Sequence, residues 1–499
     1  MLAVLALRKL VAAMGVFRSR RGTRIRYRRV VTATLRQEWE SVRLLSPSLR
    51  AQCPITRKHL SFDPLVHQIR QRAEQIPDPH IGSGDYHLAD AIMAGFAMFS
   101  LKDPSLLAFQ DRRKDENLKR LYRVAEVPSD TRTRELLDPL DPDSLRPMFS
   151  DIFRELQRGK GLEAFVFHEG YYLVSVDGSE YFSSQKISCS SCLRRTTKST
   201  GAVTFFHQLL VAVLVHPDRK EVIPFAPEPI IKQDGDNKND CERNAGKRLL
   251  PRIREDHPSL KLIVVEDGLA SNAPHIRLLQ ELDFRFLLVV HPEDHEHLFE
   301  AVNKAHEEEG RVTVVCWNDE RDPEVQCEIR FVHDLPLNKS NPDVRVNFLH
   351  YVEYGPDGEI RRIMSWVTDL IITKENARWL VRGARARWKI ENETFNTLKN
   401  QGYHFEHNYG HGEQHLSVVF AMLMMLAFLV DQTQQICCPL FQAVHKKLGS
   451  KRVLWERLRS HFYHFVFRSM RQLYEVVLYD LAKELPLFSG SLGSPQCVP

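Results

Sequence analysis

Apolar residues fall into two rhythms along the chain, and the change of rhythm divides it. Up to about Gly161 they recur every three to four positions, as in Leu88 to Leu101 and Leu145 to Gln157, which predicts helices. The stretch "EVPSDTRTRELLDPLDPDS" supplies turns and N-capping residues. From Tyr171 the apolar residues run together. "YYLVSV", ending in Asp177, then "VTFFHQLLVAVLV" and "EVIPFA" predict three strands, and "DCERNAGKRLLPRI" predicts a helix. "LKLIVVE" predicts a buried strand ending in Asp267, followed by a helix through Leu282 and a further strand, "FRFLLVV". Two of the predicted strand ends therefore carry an acid.

Between His291 and Glu375 short strand patterns dominate: "RVTVVCW", "VQCEIRFV" and "VRVNFLHYVEYGPDGEIRRIMSWVTDLIIT", with Gly-Pro-Asp-Gly as a turn between two apolar runs. This predicts a β-rich insertion. The stretch Arg385 to Tyr403, "RARWKIENETFNTLKNQGY", then returns to helical spacing. At about 100° per residue, Leu380, Val381, Ala384, Trp388, Phe395 and Leu398 gather on one side. Glu391 falls among them with Arg387 one turn back, while Glu393 falls on the opposite side. A carboxylate on a core-facing stripe is costly unless it is paired or holds a cation, so Glu391 is a candidate for function. After Gly402 comes "HFEHNYGHGEQH", with His404, His407, His411 and His415; its glycines break any regular helix, and it reads as a polar DNA-facing or surface loop rather than a metal site. The apolar run Leu416 to Val430 is shorter than the roughly 20 residues a bilayer requires, and a buried helix fits it better. Amphipathic helices with basic faces follow, "KKLGSKRVLWERLRSHFYHFVFRSMRQLY", and then a tail, "SGSLGSPQCVP", whose composition suits disorder.

The pattern divides the chain into a basic arm or extension (1–30), a helical N-terminal region fit for either a DNA-binding module or a plain scaffold (31–165), a first part of an α/β core (166–291), the β insertion (292–375), a second part of the core carrying the Glu391 helix (376–435), and a helical C-terminal region with its tail (436–499). Composition changes this picture little. Hydrophobic residues at 43% and charged residues at 27% of 499 suit a globular chain of about two to four domains. The net charge of +5 is small but unevenly placed, since Arg18 to Arg29 reads "RSRRGTRIRYRR", either a solvated arm or an electrostatic contact for nucleic acid. Met1 to Phe17 has charges inside and after its apolar run and no small-residue cleavage site, so it reads as an extension and not a signal peptide. Nine cysteines without a regular framework point to a reducing cytoplasm.

Asp177, Asp267 and Glu391 together would form a set of hard oxygen ligands, suited to Mg²⁺ or Mn²⁺ and not to zinc. Paired divalent ions clamp the attacking and leaving oxygens of an in-line phosphoryl transfer. Cys189 and Cys192 form a C-x-x-C, half of a zinc signal, which His207 and Cys241 could complete as a structural site; reduced thiols without metal are the alternative. Trp366, in "IMSWVTDL", suits core packing or stacking on an unpaired base.

These stretches resemble the DDE transposases of bacterial insertion sequences. "VDGSEY" resembles the first-Asp strand of that family, "VVEDGLASNAP" the second-Asp strand, and "RARWKIENETFNTLKN" its helix in which three residues separate Arg from Glu and a Lys follows. The likeness covers roughly Tyr171 to Asn400, with the β insertion where one branch of the family carries one. It implies an RNase H-like mixed-sheet core interrupted by the insertion, with Asp177, Asp267 and Glu391 as ligands of two Mg²⁺ or Mn²⁺ ions and Arg387 and Lys399 near DNA phosphates. It further implies an enzyme that nicks element ends with water and joins the free 3′ hydroxyl to target DNA. The partner would be double-stranded DNA, engaged as a homodimer in the bacterial cytoplasm and with no membrane. An RNase H-like nuclease lacking strand transfer, or an inactive derivative that still binds DNA, are the alternatives.

Overall fold

The strand-forming runs pair into one mixed sheet of twelve strands. In chain order these are β1 (Val166–His168), β2 (Tyr171–Ser184), β3 (Leu193–Thr196), β4 (Val203–Val215), β5 (Ile223–Pro224), β6 (Glu228–Ile230), β7 (Leu262–Glu266), β8 (Arg285–Val289), β9 (Thr313–Asn318), β10 (Gln326–Asn338), β11 (Asn341–Tyr354) and β12 (Ile360–Thr368). The order across the sheet is β3-β4-β2-β7-β8-β12-β11-β10-β9, with β1 beside β2 and both β5 and β6 beside β4. The pairs β2–β7 and β7–β8 are parallel, and the other ladders are antiparallel. Every residue of β7, "LIVVE", is buried, as expected of a central strand covered on both faces, whereas β9 alternates between half-buried and exposed at the sheet edge. This computed structural model describes residues 58–79, 86–232, 241–308 and 310–484, which form one compact unit. The basic arm Arg18 to Arg29, the Met1 to Phe17 extension and the tail after Glu484 lie outside the described residues.

The β insertion is not set apart from the core. β12 pairs with β8 through Trp366 opposite Val289 and Val367 opposite Leu288, so β9 to β12 extend the core sheet. The segment also holds a helix, Glu296–Glu307, that its strand-rich pattern conceals. The Gly-Pro-Asp-Gly turn forms as expected: Gly358 takes φ +76°, and Gly355 donates to the Glu359 carbonyl at 2.8 Å.

The helical regions meet around two apolar helices. All 14 residues of Leu88–Leu101 are buried, and Leu416–Cys437 is buried from Leu416 to Gln434. The two pack closely at Gly95, where a Cβ would come within 2.8 Å of Leu423 Cδ1. At 22 residues, Leu416–Cys437 is long and apolar enough to cross a membrane, and here its apolar window lies wholly inside the protein. It outlasts the apolar run, and its polar end finds partners inside the protein: Gln432 accepts from the Val222 amide at 3.1 Å, Thr433 donates to the Leu429 carbonyl at 2.8 Å, and Gln434 donates to the Leu60 carbonyl at 2.9 Å, with its own Oε1 left unpaired. Pro439–Leu448, Lys451–His464 and Met470–Tyr479 complete the C-terminal side.

Candidate functional site

Asp177 does not end its own strand, because β2 continues against β4 as far as Ser184. What ends beside it is the neighbour. β7 pairs with β2 from Tyr172 to Ser175 and stops at Glu266, and the register Ser175 opposite Val265, carried on by two residues, brings Asp177 level with Asp267. Residues two apart share a face of a strand, so Ser175 and Asp177 look the same way, and Asp267 stands directly after the end of β7. The segment 377–400 lies over that face, tied down where Ser175 Oγ donates to the Arg387 carbonyl at 3.1 Å. Arg387 is nearly buried, and its guanidinium stands 2.9 Å from Glu391 Oε1 and 3.9 Å from Asp177 Oδ2. The predicted one-turn neighbours are thus an ion pair that also faces the first aspartate.

The segment itself is not a uniform helix. Ala377–Arg385 is α-helical, Ala386–Trp388 tightens to a 3₁₀ turn, Ile390–Phe395 widens to a π-helical turn, and Asn396–Asn400 is α-helical again. Tight and wide turns offset one another in rotation, so Leu380, Val381, Ala384, Phe395 and Leu398 are buried as one stripe. Trp388, expected on that stripe, is turned out between them and is 52% exposed. Glu391 keeps its place facing the sheet, while Glu393 faces the charge of Lys451.

Two more carboxylates lie near these acids, and sequence reasoning missed both. Glu242 opens the helix Glu242–Asp256 on the other side of the sheet and accepts from Gln208 Nε2 at 2.6 Å. Its carboxylate reaches β2 only because residue 178 is glycine, where a Cβ would lie 2.2 Å from Glu242 Oε1. The one trace in the sequence is that glycine, directly after Asp177. Glu266, beside Asp267, is held by His275 Nε2 at 2.6 Å. Burial and then the Glu242 and Glu391 charges push the Asp177 carboxyl up to about 6, against the opposing pull of the Gly178 amide and Arg387. Glu242 is raised as well, by burial and by the charges of Asp267 and Glu266. Burial pulls the His275 imidazole down, but Glu266 outweighs it and the pKa ends above the usual value. The arrangement is therefore rich in carboxylate oxygen and short of positive charge. That is what a hard divalent cation needs, and Asp177, Asp267 and Glu391, with Glu242 close by, are the residues that could hold one.

Other expectations fare differently. Lys399 is paired with Glu406 at 2.8 Å. Trp366 is 1% exposed, packed in the sheet between Leu349 and Val289, and so cannot offer its face to a base; the core role is the one it fills. Cys241 is exposed at the N-cap of the Glu242 helix and joins no metal-capable cluster among the described residues. Its expected place beside Cys189, Cys192 and His207 is taken by His411, from the loop that follows the Glu391 segment. Among the described residues these four form the group of metal-capable side chains whose ligand atoms all lie within 4.8 Å of one another. The carboxylates do not converge so far, and Arg387 stands between Asp177 and Glu391. The sequence reading set His411 aside as part of a polar loop rather than a metal site, because that loop lacks periodicity and lies far along the chain from the C-x-x-C. Compared with known proteins, the chain matches no family model and no curated protein.

Proposed function

We propose that the protein is a DDE transposase, built on an RNase H-like core, that cuts DNA at element ends and joins them to target DNA by metal-dependent phosphoryl transfer. One observation carries the reading: Asp177 lies just past the point where β2 and its parallel partner part, Asp267 follows directly on that partner's end, and a glutamate from the segment laid over β2 is linked to Asp177 through Arg387. Asp177, Asp267 and Glu391 would hold Mg²⁺ or Mn²⁺, which when bound activates the attacking oxygen and steadies the leaving one. The chain's own residues prepare for this. Burial and mutual repulsion keep Asp177 from being a satisfied surface acid, Arg387 holds Glu391 toward the sheet, and the Ser175 hydroxyl fixes the Arg387 backbone. The exposed Trp388 beside Arg387 adds an apolar surface on which a displaced base could stack.

The test is cleavage and joining of supercoiled DNA that carries the sequences flanking the protein's own gene, with Mg²⁺ or Mn²⁺ supplied. Parent protein is expected to nick and then join. Asp177→Ala, Asp267→Ala and Glu391→Gln should each lose at least about 100-fold in cleavage while binding DNA normally, and Glu393→Gln should keep most of it. Cutting without joining would reduce the reading to a nuclease. Cutting at the parental rate by Glu391→Gln, or cutting that ignores metal, would overturn it.

A further inference from the structure

We propose that Cys189, Cys192, His207 and His411 bind one Zn²⁺ in a closed, tetrahedral structural site that fastens the loop after the Glu391 segment to β4 and to the connection between β2 and β3. The separations match that ion. Cys189 Sγ lies 3.7 Å from Cys192 Sγ and 3.3 Å from His207 Nε2, while Cys192 Sγ lies 3.5 Å from His207 Nε2 and 3.1 Å from His411 Nε2. Zinc holds sulfur at about 2.3 Å and nitrogen at about 2.0–2.1 Å, so the edges of its tetrahedron are roughly 3.7 Å between sulfurs and roughly 3.5 Å between sulfur and nitrogen. Both cysteines are free, so no disulfide accounts for their approach.

Hydrogen bonding alone accounts poorly for the cluster. Cys192 Sγ is approached by a second sulfur, by two ring nitrogens and by the Cys189 amide, a crowded set for a thiol that is only a weak donor and a weak acceptor. Cys192 is fully buried and His207 is 1% exposed, and the Nδ1 atoms of both His207 and His411 are buried without a hydrogen-bond partner. Both Nε2 atoms are turned to the thiol sulfurs, where a metal bond would offset the cost of taking the two rings out of water. A set of two thiolates and two imidazoles selects zinc over the hard cations suited to the carboxylates. Four protein ligands leave no open position, which makes the site structural.

The placement says what the ion would do. The two cysteines lie between β2 and β3, His207 lies on β4, and His411 comes from beyond the β insertion, so the ion bridges the two parts of the chain that the insertion separates. Ser190 Oγ donates to the Glu413 carbonyl at 3.2 Å across the same junction, a contact too exposed to hold it unaided.

The experiment is metal analysis of the full-length chain, purified reduced and without an affinity histidine tag. One zinc per chain is expected, and Co²⁺ in its place should give the visible absorption of a tetrahedral thiolate complex. His411→Ala should weaken zinc binding by more than the roughly 10–100-fold lost when a group outside the ligand set is removed. His411→Cys should restore it, and Cys241→Ala should leave it unchanged. Circular dichroism shows whether each variant is folded, and the partly exposed His411 is the position most tolerant of change. A folded parent without stoichiometric zinc, a His411→Ala variant that binds zinc as the parent does, or a loss in Cys241→Ala equal to that in His411→Ala would each overturn the proposal. None of these readouts depends on DNA cleavage.

Discussion

Asp177 shows how a single residue's surroundings set both its chemistry and its cost. Its carboxyl goes from an ordinary 3.8 to about 6, first through burial and then through Glu242 and Glu391. A raised folded pKa means that the native state holds a proton the unfolded chain has released. The associated stability is complete below about pH 4 and is lost as pH rises through about 6. Asp177→Asn is therefore expected to be more stable than the parent at pH 8, by up to about 3 kcal/mol, with the two converging toward pH 4. Thermal melts at the two pH values check this, and a variant less stable than the parent at pH 8 would mean that the Arg387 contact outweighs the repulsion. Mg²⁺ should raise the melting temperature of the parent at pH 8 and leave that of Asp177→Asn unmoved.

The Leu416–Cys437 helix owes its start to another part of the chain. The Asp138 carboxylate accepts from the backbone amides of Glu413 at 2.9 Å, Gln414 at 3.0 Å, His415 at 3.1 Å and Leu416 at 3.0 Å, supplying partners for donors that a helix start leaves unpaired. Partial burial alone would raise its pKa, but those four amides outweigh it and hold the carboxyl below its usual value. A depressed folded pKa gives stability that is present above the unfolded value and lost as pH falls through the folded one. Asp138→Ala should cost about 1–2 kcal/mol at pH 7, and the difference from the parent should shrink toward pH 3 in denaturant titrations. The apolar helix itself was legible in the sequence, and so were the runs that became β2, β4, β7 and β8, because a buried run of Val, Ile, Leu and Phe has few other destinations. Features fixed by backbone register or by distant partners were not legible. The 3₁₀ turn at Ala386–Trp388 and the π-helical turn after it leave Trp388 turned out while its neighbours keep one stripe, and the pairing of β12 with β8 leaves no local mark. Of the candidate site, Asp177, Asp267, Glu391 and Arg387 could be named from spacing, whereas Glu242 and His411 join it only through the fold.

At the scale of the whole molecule, a buried ion pair links helices far apart in sequence. Lys102 follows the Leu88–Leu101 helix at φ +59°, is 2% exposed at its side chain, and pairs with Asp431 of the Leu416–Cys437 helix. Its ammonium also donates to the Ser100 carbonyl at 2.9 Å and lies 4.1 Å over the Tyr403 ring and 4.2 Å over that of Trp455, while the Tyr403 hydroxyl donates to Asp431. Burial opposes both charges, lowering the pKa of Lys102 and raising that of Asp431, and each group is the main counterweight for the other. Removing one partner strands the other, whereas removing both leaves only a packing problem. Lys102→Met should therefore destabilise the protein by about 3–5 kcal/mol at pH 7, and adding Asp431→Leu should recover most of that loss. The single variant leaves Asp431 without its cation and so raises its folded pKa further. Its deficit should then narrow as pH falls toward 5, because protonation removes the stranded charge. Denaturant titrations of the single and double variants at pH 7 and pH 5 decide the point. If the double variant is no more stable than Lys102→Met at either pH, packing of the lysine stem against Tyr403 and Trp455 holds the helices together, and the charge pair does not.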